Sequence, residues 1–263
     1  MRSMVETCAM NELRLVSATR YVTPLREGGS LPGLVEADDD GLYVAKFRGA
    51  GQGLRALIAE VIVGELIRCA ELLIPELVLL TIDPRLGAAE PDPEIQELIA
   101  ASAGVNLGVD FLPGSLPYTA AGDFQPGAEL AAEIVWLDAL CTNVDRTARN
   151  PNMLRWHDRL WLIDHGAALY LAHGGLDPAA QAERPFPMIA EHVLLPRAGS
   201  VADAGARLRD RVTADAVKHA VDLVPADWFA GADPPETYAE YLTRRLAWGG
   251  FSEEADRARA GRR

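Results

Sequence analysis

Asn143-Val144-Asp145-Arg146-Thr147-Ala148-Arg149-Asn150, continued by Pro151-Asn152, is the stretch on which the reading of this chain turns. It follows an apolar run, Leu130, Ile134, Leu137 and Leu140, spaced as a buried helix that stops at Thr142-Asn143. Its polar composition and its Asn-Pro-Asn ending make it a loop. Downstream, residues 153–156 and 160–163 flank His157-Asp158-Arg159 as a small hairpin, and Asp164-His165-Gly166 breaks its second strand. A hairpin folded back in this way brings Asp164 close to Asn150. A carboxylate and an amide oxygen so placed are hard ligands suited to Mg²⁺, which takes few protein ligands and otherwise keeps water or phosphate oxygens. Asp145, five residues before Asn150, can then face an attacking hydroxyl.

Working outward, the first part of the chain reads as strands. Residues 13–17, 19–24, 33–37 and 42–48 are short, β-branched or apolar, and separated by turn residues, which predicts an antiparallel meander. A Gly-rich turn, Gly28-Gly29-Ser30, lies between the second and third of them. Only two of the 25 basic residues are lysines, Lys46 and Lys218, so a retained lysine invites a question. Lys218 fits a solvated helix face. Lys46 sits within the β-rich run Leu42-Tyr43-Val44-Ala45-Lys46-Phe47, where a compact ammonium can reach a phosphate as a point charge. Leu54, Leu57, Ile58, Val61, Ile62 and Leu66 then repeat at helical spacing, with Glu60 and Glu65 interleaved. A strand over 77–82, a helix opening at Pro91-Asp92-Pro93-Glu94 and an extended segment over 104–112 follow. Pro113-Gly114-Ser115-Leu116-Pro117 is the linker-like stretch at which a lobe boundary is placed. Residues 203–224 and 235–248 read as helical, and the Arg-rich tail 256–263 is expected to fray.

Composition narrows the function. The chain has 263 residues and a formal net charge of −13, which disfavours phosphate backbones and anionic membrane surfaces. Its 49% hydrophobic content excludes disorder. Cys8, Cys69 and Cys141 form neither a disulfide framework nor a zinc knuckle, and Glu6 and Glu12 interrupt any signal-like core, so a cytoplasmic setting is expected. Phosphoryl transfer needs a metal bridging phosphates, a lysine on them and an acid orienting the nucleophile. Lys46 is suited to the lysine's part, Asp145 to the acid's, and Asn150 with Asp164 to holding the metal.

Asp145 to Asn150, the short hairpin and Asp164-His165-Gly166 resemble the catalytic loop and metal-binding segment of the protein-kinase-like fold. The Asp145-Arg146 pair, with asparagine five residues after the aspartate, resembles HipA-like kinases and, more distantly, phosphatidylinositol kinases. The resemblance extends upstream through Gly28 to Ser30, Val44 to Phe47 and the helix with Glu60. It implies an α+β, two-lobed fold, with an antiparallel-sheet N-lobe over 1–112 and a helical C-lobe over 113–263. It implies ATP- and Mg²⁺-dependent transfer of the γ-phosphate to a hydroxyl acceptor, a protein Ser/Thr or a small molecule, with no nucleic acid or membrane partner. By position, Lys46 is implied to hold the nucleotide phosphates, Glu60 to pair with it, Gly28, Gly29 and Ser30 to cover the phosphates, and Asp110, Phe111 and Leu112 to meet the adenine edge. Asp145 is the implied catalytic base, while Asn150 and Asp164 are the implied Mg²⁺ ligands.

A short Gly28-Gly29-Ser30 turn stands in place of the kinase GxGxxG, and the later motifs depart from protein kinases as well: Asn143-Val144 precedes the aspartate, and His165 stands where a phenylalanine is usual. Neither change removes a phosphate or metal ligand. Glu65 is a substitute for Glu60, and Arg146 and Arg149 are suited either to neutralising carboxylates or to reaching a phosphate. Two other readings compete: a nucleotide-binding scaffold of the same fold without activity, and a metal-dependent phosphohydrolase using Asp145 and Asp164 with water as acceptor.

Overall fold

The structure, a computed structural model, describes residues 12–25, 31–51, 53–170 and 177–261. The chain divides into two compact units, one of residues 11–58 and 75–114, the other built from 59–74 and 115–263. The division falls inside a single helix, α1 (Gly53–Cys69).

The first unit is a barrel. Its strands are β1 (Leu15–Pro24), β2 (Gly33–Ala37), β3 (Leu42–Lys46), β4 (Leu77–Ile82) and β5 (Gly104–Asp110), closed in the order β1-β2-β3-β5-β4. The two strands expected over 13–17 and 19–24 are one, β1, whose pairing with β2 slips between Ala18 and Arg20 and again between Tyr21 and Thr23. Such irregularities bend a strand and raise its twist, which helps a small sheet to curl. The expected antiparallel sheet needs correction in one ladder. β2, β3, β5 and β4 pair antiparallel in sequence, but β1 runs parallel to β4, with Leu15 opposite Leu79. β4 follows α1, and a crossover of that length permits parallel pairing.

Inside the barrel, alternation on β4 sends Val78, Leu80 and Ile82 inward, to pack with Val35, Ala45 and Phe47. Ile95 and Ile99 of α2 (Pro93–Ala101) join that core. Asp92 caps α2 by accepting from Glu94 N–H, as the Asp-Pro-Glu sequence suggests. Gly108 on β5 lets Val78 approach, since a Cβ there would lie 2.7 Å from Val78 Cγ2.

The second unit is mostly helical. α3 (Ala128–Leu140) is buried on nearly every side, and after the short α4 (Pro178–Ala182) come α5 (Val201–Leu208), α6 (Ala214–Asp222), α7 (Pro235–Trp248) and α8 (Gly250–Ala260). α5 and α8 pack on α3, while α4 and α6 pack on α7. The largely helical stretch expected over 203–224 holds most of α5 and all of α6, the second started by Thr213, which accepts from Ala216 N–H at 3.1 Å. The tail is also corrected as far as residue 260: Asp256 accepts from the Val201 and Ala202 amides, which fixes α8 against the start of α5. A three-stranded sheet joins β6 (Leu116–Pro117), the end of the expected linker, to β7 (Met153–Trp156) and β8 (Arg159–Leu162). His157 and Asp158, both at positive φ, form the tight turn between β7 and β8. Among the described residues no helix is long and apolar enough to cross a membrane.

Candidate active site

The loop between α3 and β7 gathers the polar residues singled out in the sequence. Asp145 Oδ2 accepts from Asn150 Nδ2 at 2.7 Å and from Asn152 Nδ2 at 3.2 Å. Asn152 Nδ2 also lies 3.3 Å from the carbonyl oxygen of Asp164. Asn152, rather than the expected Asn150, therefore links the loop to the far end of the hairpin. Thr147 tightens the loop: its amide reaches the carbonyls of Asp145 and Asn150, and its hydroxyl accepts from Asn150 N–H.

Asn152 and Asp164 both adopt left-handed backbone, at φ 49° and 58°. Asn and Asp tolerate that region better than other side chains. Thr142 (φ 47°) and Leu169 (φ 58°) tolerate it poorly, and they are tied together where Leu169 N–H donates to the Cys141 carbonyl at 2.7 Å. Backbone strain of this kind persists where the surroundings over-determine it.

Because Asn150 turns its amide nitrogen to Asp145, its Oδ1 is left to accept or to ligate. An asparagine amide oxygen and an aspartate carboxylate, the groups Asn150 and Asp164 carry, are hard donors of the kind Mg²⁺ takes beside water and phosphate oxygens. Among the described residues no group of three or more His, Cys, Asp or Glu side chains is arranged to hold a metal.

Behind the loop lies a polar cluster only partly visible in the sequence. Arg146, buried, donates from Nε to Asp138 Oδ2 at 2.5 Å, from Nη1 to the Asn152 carbonyl at 2.5 Å, and lies 3.1 Å from His165 Nδ1 through Nη2. Asp138 also accepts from Asn143 Nδ2 at 2.9 Å and contacts His192 Nε2 at 2.9 Å. Burial alone would push the Asp138 carboxyl up. The Arg146 charge and the His192 contact outweigh it and hold the group well below the usual carboxylate range. His192 Nδ1 accepts from Leu194 N–H, so Nε2 carries the proton; burial keeps the ring neutral and its pKa below the ordinary value. Arg146 thus neutralises a carboxylate, one of the two roles the sequence left open. Arg149 is exposed. Asp138 and His192 were not anticipated. The signal for Asp138 was an acid within the apolar last two turns of α3, eight residues before an arginine.

Glu60, on α1, is buried and accepts from Gly166 N–H at 2.9 Å, which fastens the Asp164-His165-Gly166 turn. Glu65 is engaged by Arg68 and by His219. In the barrel, Lys46 closes β3 opposite Leu107. Asp110 N–H donates to the Glu76 carbonyl and Phe111 N–H to the Leu42 carbonyl, so of the three expected adenine-edge residues only Leu112 keeps an amide with no backbone partner among the described residues. Gly28, Gly29 and Ser30 lie outside the described residues.

A mixed α/β chain with a closed sheet ahead of α3, and an aspartate-asparagine loop and hairpin after it, has the class of fold found in kinases. Solved structures agree. The proinflammatory kinase CtkA of Helicobacter pylori is similar over 95% of this chain and 99% of its own, with a TM-score of 0.57 at 11% identity. The Golgi casein kinase is similar over 95% of this chain and 74% of its own, with a TM-score of 0.50 at 11% identity. Residues 19–246 match the family described as HipA-like kinase, and the chain belongs to that family. No curated protein matches it at a significant level.

Proposed function

We propose that the protein is an ATP- and Mg²⁺-dependent kinase that transfers the γ-phosphate to a hydroxyl acceptor, a protein Ser/Thr or a small molecule. The observation that carries this reading is the loop geometry: one carboxylate, Asp145, is oriented by two asparagine amides, those of Asn150 and Asn152. In this reading Asp145 receives the acceptor's hydroxyl proton, and Asn150 and Asp164 hold Mg²⁺, which when bound neutralises phosphate charge. Lys46 steadies the phosphates and Glu60 pairs with it. Residues 28–30 cover the phosphates, and the backbone of Asp110 to Leu112 meets the adenine edge. Residues 1–112 serve as the nucleotide-binding lobe and 113–263 as the catalytic lobe, in a cytoplasmic protein.

The test is transfer of labelled γ-phosphate from ATP, with Asp145→Ala, Asp164→Ala and Lys46→Ala beside the wild type. Each variant is expected to lower transfer at least ~100-fold, about 2.7 kcal/mol of barrier at about 1.36 kcal/mol per decade. Nucleotide binding with no transfer to any acceptor would favour the scaffold reading. Cleavage of added phosphoesters without ATP binding would favour the hydrolase.

A further inference from the structure

The loop that carries Asp145 has a buried side as well as an open one, and the proposed reaction uses only the open side. On the buried side the guanidinium of Arg146, the residue next to Asp145, is held from three directions: by Asp138 on α3, by the Asn152 carbonyl and by His165. Asn152 donates to Asp145 Oδ2 and to the Asp164 carbonyl, and His165 follows Asp164 directly. A continuous set of contacts therefore runs from the Asp138 carboxylate to both acids of the open side. His192 adds a second hold: its Nε2 meets Asp138, its backbone bridges to Thr147, and Val193 N–H donates to the Arg146 carbonyl at 3.0 Å.

Resting on the kinase reading above, we infer that Asp138 is a positioning residue: through Arg146 and Asn152 it fixes Asp145 and Asp164 in the arrangement that transfer requires. Simple neutralisation of a buried arginine does not account for the arrangement. Asp138 also takes Asn143 Nδ2 and His192 Nε2, so its two oxygens receive groups from two points of the loop, Asn143 and Arg146, and from the segment that flanks it. A shift of about 1 Å in such a support can cost about 100-fold in rate with little change in ground-state binding.

The experiment compares Asp138→Asn and His192→Gln with the wild type, measuring kcat per folded molecule, KM for ATP, thermal stability and amide hydrogen exchange over residues 143–152. Asp138→Asn is expected to lower kcat by about 100-fold and His192→Gln by about tenfold, with KM for ATP within about threefold. Exchange over 143–152 should quicken by about tenfold or more in each. A lowered melting temperature with unchanged kcat and unchanged exchange would make Asp138 a core ion pair only and overturn the proposal. If Asp138→Asn does not fold, His192→Gln decides by the same two readouts, since it leaves the Asp138–Arg146 pair intact. A wild type that transfers no phosphate would sink the kinase reading instead, while the exchange comparison would still show whether Asp138 fixes the loop.

Discussion

Arg14 in the barrel unit and Arg146 in the helical unit are the same side chain in opposite settings. Arg14 reaches Asp39 at 2.7 Å, Glu76 at 2.8 Å and the Tyr43 hydroxyl at 3.1 Å, yet its side chain is 48% exposed. Arg146 has a comparable set of partners and a side chain that is 0% exposed. The barrel keeps its charges outside and fills its interior with Val35, Ala45, Val78 and Leu80. The helical unit encloses charge directly behind the candidate active loop. Surface pairs gain little because water competes for both partners, whereas a buried pair that loses one member leaves an uncompensated charge. The barrel is therefore shaped by apolar packing, and the loop by enclosed electrostatics.

The largest break in that comparison should come from Asp138→Ala, which strands the Arg146 guanidinium without its carboxylate. The expected loss is about 3–5 kcal/mol of unfolding free energy, read by chemical denaturation. A loss under about 1 kcal/mol would mean that water reaches the cluster and that the two arginines are equivalent after all. The next effect concerns packing in the same unit. Ala is normally preferred to Gly within a helix, but a Cβ on Gly205 of α5 would sit 2.3 Å from Trp136 Nε1. Gly205→Ala should therefore destabilise by about 1–3 kcal/mol, the usual cost of overpacking. A stabilised variant would show that α5 can move away from α3.

Much of this was legible in the sequence, for identifiable reasons. β4, α2 and α7 lie over the residues read as a strand after Pro75, a helix opening at Asp-Pro-Glu and a helical stretch over 235–248. The Asp145-to-Asn150 spacing and the hairpin to Asp164 announced a polar loop, and its contact with Asp164 runs through Asn152, two residues past the Asn150 that the sequence pointed to. The parallel β1–β4 ladder was not legible, since pairing direction is a property of the path taken by α1 and not of either strand. Nor was the role of His192, because 54 residues separate it from Asp138 and neither sits in a local motif. α8 was hidden by its charge: an Arg-rich tail looks solvated until Asp256 is seen capping the start of a distant helix.

A smaller effect sharpens the comparison through pH. Folded His192 is held neutral with its pKa below the ordinary value of 6.5, while the unfolded chain protonates at the ordinary value. Below about pH 6.5 the unfolded state binds a proton that the folded state does not, so stability falls as pH is lowered toward the folded pKa, by at most about 1.36 kcal/mol per unit. Asp138 acts at lower pH. Its depressed pKa contributes stability that is present above the ordinary carboxylate value of 3.8 and is lost as pH falls toward the folded value. Denaturation midpoints for His192→Gln should lack the first slope and keep the second. A wild-type profile that is flat between about pH 6.5 and 5 would place the His192 ring in a wetter setting.

The smallest effect should come from Arg14→Ala. Its three partners would predict a large loss if contacts were simply added, and Asp39 is indeed held at a pKa of about 2 by hydrogen bonds from Arg14 and Tyr43. But half of the Arg14 side chain is exposed, as is half of Glu76, and water solvates either carboxylate once the guanidinium is gone. The expected loss is under about 1 kcal/mol, and it should shrink further in high salt, where exposed charges are screened within a few ångströms. The buried pair should show no such salt dependence. Measuring Arg14→Ala and Asp138→Ala at low and at high ionic strength therefore separates the two kinds of network by their response to ions as well as by size. A loss at Arg14 of about 3 kcal/mol that survives high salt would mean that the outer wall of the barrel is held by electrostatics too, and the contrast between the units would fail.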